Sequence, residues 1–259
     1  MSLSPLTAAP SSGPAAAPSD AGVVALLLAD ARLPSGGHVN SAGLEPALMA
    51  GLSRSEVPQF LQVRARTAAL VDAATAVVTS RSLFAAGSET ELELGPLFRQ
   101  LDRAWAARTP SQASRHIARE LGRGLHRLAA ALWPQAPGLR ALGLQSLGQT
   151  GGSVSERVAP PRPLVLGAVA AHVGLGAEEL MRLAVYDDVA SAAAALLKLD
   201  PGDPVEAMAM VLQACRAAEP AVQALAGITA AGQIPAPSAP QTEEWIEAHT
   251  LTTRRLFRA

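Results

Sequence analysis

The chain has 259 residues, 21 Lys+Arg against 22 Asp+Glu, a net charge of −1 and one cysteine, Cys215. That length supports a sizeable core, and the balanced charge excludes the basic surplus of a nucleic-acid binder. A lone thiol excludes an internal disulfide framework and a Cys-based zinc site, and points to a reducing compartment.

Alanine dominates, with 55 residues, and aromatics make up only 3%. Ala, Leu, Arg and Glu are strong helix formers, whereas β-sandwiches and barrels draw on β-branched and aromatic residues. The expected fold is all-α, a single-domain bundle of roughly eight to ten helices. No unbroken run reaches the ~18–20 apolar residues of a membrane span. No Lys or Arg precedes the short apolar stretch Val23–Ala29, so a signal peptide is not expected either. The expectation is a cytoplasmic protein with no membrane and no nucleic acid among its partners.

Residues 1–20 are rich in Ala, Pro and Ser and read as a disordered tail. A helix is expected from Ala21, with Asp20 as N-cap, until Leu33-Pro34-Ser35-Gly36-Gly37 breaks it. Ser41–Gly51 reads as a short helix. Ser55 opens a long one that runs to Ala86 and is closed by Gly87, and Glu91–Ala107 is a third, interrupted near Gly95-Pro96. Thr109 and Pro110 are the expected cap and first residue of the next helix. It carries Ile117, Leu121, Leu125, Leu128 and Leu132 as one apolar stripe up to Pro134.

Residues 134–163 read as a long loop or as two short helices. Helices are expected over Pro163–Val173 and Ala177–Leu199. Another starts from Asp203 (N-cap) and Pro204 and extends to about Ala231, with a kink at Pro220. A Pro-rich linker, Gln233–Pro240, leads to a last helix over Gln241–His249 and a basic tail, Thr250–Ala259. The chain thus divides into the tail 1–20, a helical domain 21–232, and a linker with a C-terminal docking segment, 233–259.

No catalytic set emerges. Gly-x-x-x-x-Gly-Lys-Ser/Thr, Gly-x-Gly-x-x-Gly, His-Glu-x-x-His and Gly-x-Ser-x-Gly are all absent. The histidines 38, 116, 126, 172 and 249 never pair at i, i+4, so no metal ligand set is expected within one helix. Asp187 and Asp188 are neighbours on a helix and point about 100° apart, so they do not chelate one ion together, and a solvated face or helix–helix hydrogen bonds is the expected role. The stronger features are electrostatic. Arg115, Arg119, Arg123 and Arg127 recur every four residues, as a solvated face or as a docking ridge for an acidic partner. The tail Arg254-Arg255-Leu256-Phe257-Arg258 mixes guanidinium groups with large apolar side chains, the composition of interface hot spots. Leu256 and Phe257 are its expected anchors.

Three blocks carry a family resemblance. Asp30-Ala31-Arg32-Leu33-Pro34-Ser35-Gly36-Gly37 followed by Asn40-Ser41-Ala42-Gly43-Leu44-Glu45 resembles the N-terminal signature of UreF urease accessory proteins. Pro163–Leu199, with Gly174-Leu175-Gly176, Tyr186, Ser191-Ala192-Ala193-Ala194 and Lys198, is similar to that family's central block, and Arg254–Ala259 to its C-terminus. The chain departs from the family pattern at His38, Asn40, Pro201 and Thr250.

The resemblance implies an all-α homodimer without enzymatic activity or a cofactor of its own. Such a protein bridges the accessory protein UreD (also called UreH) and the GTPase UreG, and so helps deliver Ni²⁺ to apo-urease. Arg254, Arg255, Leu256, Phe257, Arg258, Lys198, Tyr186, Glu45, Arg115 and Arg119 are the candidate partner-binding residues. The rival readings are a helical adaptor unrelated to urease and a small all-α metal-dependent enzyme.

Overall fold

The computed structural model describes residues 20–33, 40–87, 90–148, 158–252 and 256–257. Among the described residues the architecture is all-α, with no strand. In chain order the helices are α1 (Ala21–Ala29), α2 (Leu44–Met49), α3 (Val57–Arg66), α4 (Ala68–Ala86), α5 (Glu91–Ala106) and α6 (Gln112–Leu132). They continue with α7 (Pro137–Gly148), α8 (Arg162–Val173), α9 (Ala177–Leu199), α10 (Pro204–Leu225) and α11 (Pro240–His249).

The expected long helix is two segments. At Thr67 (φ −119°, ψ −99°) the backbone leaves helical geometry and α3 and α4 meet as one bent rod. Its start is set earlier than expected, by a capping box in which Glu56 accepts from the Ser53 amide (2.8 Å) and hydroxyl (2.7 Å). Ser111, not Thr109, caps α6: its Oγ accepts the Ser114 N–H at 2.9 Å. Thr109 instead donates its hydroxyl to the Trp105 carbonyl and closes α5. Asp203 caps α10 as expected, accepting from Val205 N–H at 2.8 Å. Both α5 and α10 run on through their internal prolines, Pro96 and Pro220, and α10 stops at Leu225, short of Ala231. Residues 137–148 of the expected loop are helical. Gly36-Gly37, His38 and Gly151-Gly152-Ser153 lie outside the described residues, as does the tail 1–19.

α4 is the centre of the bundle, packed by α8 and α9, with α5 and α3 at its sides; α10 covers α9, α6 covers α8 and α7 covers α5. The rod Arg54–Ala86 is long and apolar enough to cross a membrane by length and composition. Its apolar faces are instead used against these neighbouring helices, and Ala73, Ala74, Ala76, Val77 and Val78 have no exposed surface.

Small side chains make this packing close. An ideal Cβ on Gly167 of α8 would lie 2.5 Å from the Ala76 carbonyl oxygen and 2.6 Å from Thr79 Cβ. The hydroxyls of Thr75 and Thr79, both fully buried, donate to the carbonyls one turn earlier (2.8 Å each), so neither is left unsatisfied in the contact. Large side chains complete the core, with Trp105, Phe98, Leu101, Leu139 and Leu180 fully enclosed.

Candidate functional site

The C-terminal segment folds back on α2, and the entry into α2 is built to receive it. Asn40 Oδ1 accepts the Ala42 N–H at 3.0 Å, and Ala42 and Gly43 both take left-handed conformations (φ 51° and 82°) before the helix starts. Gly43 is needed twice over. Its φ is one that side chains disfavour, and a Cβ there would meet Ile246 Cδ1 of α11 at 3.0 Å. The buried Ser41 Oγ then accepts the Glu45 N–H (3.3 Å), which fixes the first turn of α2 and leaves the Glu45 side chain buried.

α11 is pinned from the other side. Its Glu247 carboxylate accepts from Ser111 Oγ (2.8 Å) and the Ala113 N–H (2.9 Å) at the start of α6, and these bonds hold it below the usual carboxylate range. His249 closes the helix, buried, with Nε2 3.4 Å from Glu45 Oε2.

Glu45 then makes its main contacts. Oε1 accepts the Leu256 N–H at 2.6 Å and Oε2 the Phe257 N–H at 2.8 Å. Charge-assisted bonds of this kind are worth about 1.5–3 kcal/mol each when desolvated. The Phe257 ring is 5% exposed and lies under the ammonium of Lys198, whose Nζ is 5.3 Å from the ring centroid. Leu256 faces the other way and is 65% exposed. The structure therefore divides the expected pair of anchors: Phe257 packs inward, whereas Leu256 is held at the surface.

Of the candidate residues, Glu45, Lys198, Leu256 and Phe257 come together, although they lie up to 212 positions apart. Arg254, Arg255 and Arg258 lie outside the described residues. Tyr186 is elsewhere on α9, twelve residues before Lys198 and so ~18 Å along the helix, and it is half-exposed.

The four arginines of α6 do not form one outward ridge. Arg115 donates to the Thr109 and Pro110 carbonyls. Arg119 pairs with Asp102 (2.9 Å), donates to the Ala159 carbonyl and lies over the Trp105 ring. Arg123 is paired with Glu120. Of the expected docking residues, Arg119 thus ties α6 to α5 and to the Ala159 carbonyl, and Arg115 closes the turn that leads into its own helix. The drift of about 40° per i, i+4 step carries the later two, Arg123 and Arg127, to the exposed side of the helix.

Beneath α11 lies a charged cavity of about 110 Å³, lined among others by Arg64, Asp72, Trp105, Arg162, Asp187 and Asp188. Asp188 holds Arg64 of α3 in a two-point ion pair (2.6 and 2.8 Å), and Asp187 pairs with Arg162 of α8 at 3.0 Å. The adjacent carboxylates thus serve two different helices, as their angular separation requires. Trp105 Nε1 donates to Asp72 Oδ1 at 2.7 Å. Burial pushes Asp72 up to about 6, against the opposing effect of the Trp105 bond, and pushes Asp187 up as well. Sequence reasoning missed Asp72. The available signal was a lone carboxylate between Leu70-Val71 and Ala73-Ala74 in an otherwise apolar helix. Among the described residues no group of three or more His, Cys, Asp or Glu side chains is placed to hold a metal ion.

The helices are tied by the pairs Arg64–Asp188, Arg162–Asp187 and Arg119–Asp102, and a buried carboxylate holds the C-terminal segment against α2, so the class is an all-α helical bundle. The UreF family profile matches residues 53–215. The chain is 39% identical to the urease accessory protein UreF of Mycobacterium marinum over 183 residues (69% of this chain, 74% of that protein). It is 36% identical to UreF of Mycobacterium bovis over 211 residues (79% and 86%), and 35% identical to UreF of Mycobacterium tuberculosis over the same length. The chain belongs to the UreF family of urease accessory proteins, non-enzymatic participants in urease maturation.

Proposed function

We propose that this chain is a cytoplasmic docking scaffold which bridges UreD (UreH) and the GTPase UreG, so that Ni²⁺ can pass to apo-urease as cargo. Residues 21–232 form the body, and 233–259 the segment that presents the docking surface. The observation that carries this reading is the outward presentation of Leu256 on a segment whose neighbour, Phe257, is anchored inward. Leu251 is also exposed, and Met49 lies one turn beyond Glu45 on α2. Arg254, Arg255 and Arg258 supply positive charge on either side of Leu256 in the sequence. Apolar knobs among guanidinium groups suit an acidic protein surface with apolar sockets. Leu256→Asp, and deletion of residues 250–259, are expected to reduce retention of UreD and UreG in a pull-down from co-expressing cells by at least tenfold. Undiminished retention of both partners by both variants would overturn the reading.

The same proposal takes the scaffold to be a homodimer. The outer faces of α9 and α10 carry Tyr186, Val205, Met208 and Leu212, all exposed, with Leu212 56% exposed. Val205, Met208 and Leu212 recur at i, i+3 and i+7, a single stripe. Acidic Asp203 lies at one end of α10 and Arg216 toward the other, both exposed. A two-fold axis near Met208–Ala209, with the two copies of α10 antiparallel, buries the stripe and brings Arg216 of each copy toward Asp203 of the other. Light scattering during gel filtration should give about twice the 26.5 kDa chain mass. Leu212→Arg should give the single-chain mass; a wild-type monomer or a dimeric variant would refute this face.

A further inference from the structure

We propose that the cleft between the ends of α4 and α8 is a docking site for an amphipathic helix of a partner protein, one that presents an Asp or Glu three or four residues from a large apolar side chain. Arg81 and Phe84 of α4 receive the two. The inference goes beyond the docking reading above, because it uses no residue of 233–259.

Three observations carry it. First, the backbone builds an open cleft. Beyond the close crossing of α4 and α8 at Ala76 and Gly167, a space of about 390 Å³ opens between the last turns of α4, the end of α8 and the start of α9. The Leu175 N–H closes α8 by donating to the Ala170 carbonyl at 3.0 Å, and the Leu175 and Leu180 side chains are buried and make a fixed floor. Gly174 is left-handed (φ 73°), and a Cβ there would meet nothing within 4 Å. The Gly174-Leu175-Gly176 block thus shapes one wall of the cleft and keeps it low. Second, Phe84 stands at the opposite wall, on a regular helix, and is 78% exposed. Third, Arg81 lines the same wall. Its Nη2 donates to the Ala226 carbonyl at 2.6 Å, which fixes the guanidinium, but among the described residues it meets no carboxylate. Arg64, Arg119, Arg162 and Arg182 all do. Arginine and aromatic side chains are the types that dominate binding energy, and a group already held in place binds with less ordering cost.

The occupant follows from shape and charge. Arg81 and Phe84 are three residues apart on α4, so they lie on one face and ~4.5 Å apart along its axis. A helix laid beside them meets both with two side chains at its own i, i+3 or i, i+4 spacing, one a carboxylate and one apolar. Ala171 and Gly174 on the far wall are small and let its backbone approach. The described residues include no strand, so no sheet edge is present to pair an extended segment. Glu178 and Glu179, exposed at the start of α9 between the lining residues Ala177 and Leu180, oppose an anionic lipid surface. Ala68, at the other end of α4, lines the cavity beneath α11. Sixteen residues, ~24 Å of helix, separate it from Phe84, so a protein in this cleft and one at the C-terminal segment fit at the same time.

The test uses the full-length chain, co-expressed with UreD, UreG and apo-urease. Phe84 is replaced by the photo-crosslinking amino acid p-benzoylphenylalanine, and the residues captured on irradiation are identified by mass spectrometry. The expected product joins position 84 to a helix of one of these three proteins that carries an Asp or Glu three or four residues from a Leu, Ile, Met or Phe. Arg81→Glu should then lower retention of that protein at least tenfold, and reversal of the partner's carboxylate to Arg should restore it. Phe84→Asp, at an exposed position that leaves the Arg81–Ala226 contact intact, should give the same loss and covers the case in which Arg81→Glu does not fold. No crosslink to any of the three, a crosslink to a non-helical segment or to a second copy of this chain, or full retention by folded Phe84→Asp overturns the site. Loss of retention in Leu256→Asp alone removes the cleft and leaves the C-terminal reading; loss in the Arg81 and Phe84 variants alone does the reverse.

Discussion

Gly167→Ala is expected to cost about 2–4 kcal/mol of folding stability. The added methyl would lie 2.5 Å from the Ala76 carbonyl oxygen, with Thr79 Cβ at 2.6 Å. Neither atom is the far end of a flexible side chain, so relief requires α4 and α8 to move apart. These two helices form the main packing contact of the bundle, and a shift there loosens Val165, Ala168 and Val169 as well, all buried. Alanine's better helix propensity returns only about 1 kcal/mol. A calorimetric midpoint lowered by roughly 5–15 °C is the expected reading. Gly22→Ala is the control, since its Cβ would meet nothing within 4 Å and its position is helical. It should stabilise by about 0.5–1 kcal/mol. Equal behaviour of the two variants would contradict the close-crossing account.

Asp72→Asn is expected to raise stability at pH 8 by about 2–3 kcal/mol, and to leave it unchanged below pH 4. In the folded protein Asp72 holds its proton up to about pH 6, because burial disfavours the charge. In the unfolded chain it ionises near its ordinary value of 3.8. Between those values the native state binds more protons. Wild-type stability therefore falls as pH rises from 4 to 6, and the full penalty persists above. Asparagine keeps an oxygen for the Trp105 indole N–H (2.7 Å in the wild type) and removes the charge. Denaturant midpoints of both proteins at pH 4, 6 and 8 measure the difference directly. A variant that loses stability at pH 8 would show that the ionised carboxylate is supported by Arg64 and Arg162 more strongly than burial opposes it.

Much of the site was legible as residues and little of it as geometry. The Ser41–Glu45 block and the Leu256-Phe257 tail stood out because their residue types have few reasons to occur at a break and at a terminus. Periodicity located the α6 stripe, and the helical angle ruled out joint chelation by Asp187 and Asp188, whereas their separate partners Arg64 and Arg162 emerged only from the packing. The arginines of α6 show where this reasoning stops. Four basic residues at i, i+4 look identical in sequence whether they face water or a neighbouring helix. Only the packing of α5 and of the Ala159 carbonyl against Arg119 decides it. Capping failed by two residues at α6 for a related reason. Thr109 and Ser111 are both good caps, and the choice was made by the Trp105 carbonyl, which takes the Thr109 hydroxyl.

The amino-acid order alone determined that the chain is helical, where most helices lie, and which accessory-protein family its motif blocks belong to, because propensity, punctuation and short motifs are local properties. Tertiary structure alone decided that Glu45, Lys198 and Phe257 meet, that Leu256 is left facing outward, and that Asp72 lines a cavity where desolvation pushes its carboxyl up. Those outcomes depend on which surfaces are removed from water when segments two hundred residues apart are brought together, and no local pattern records that.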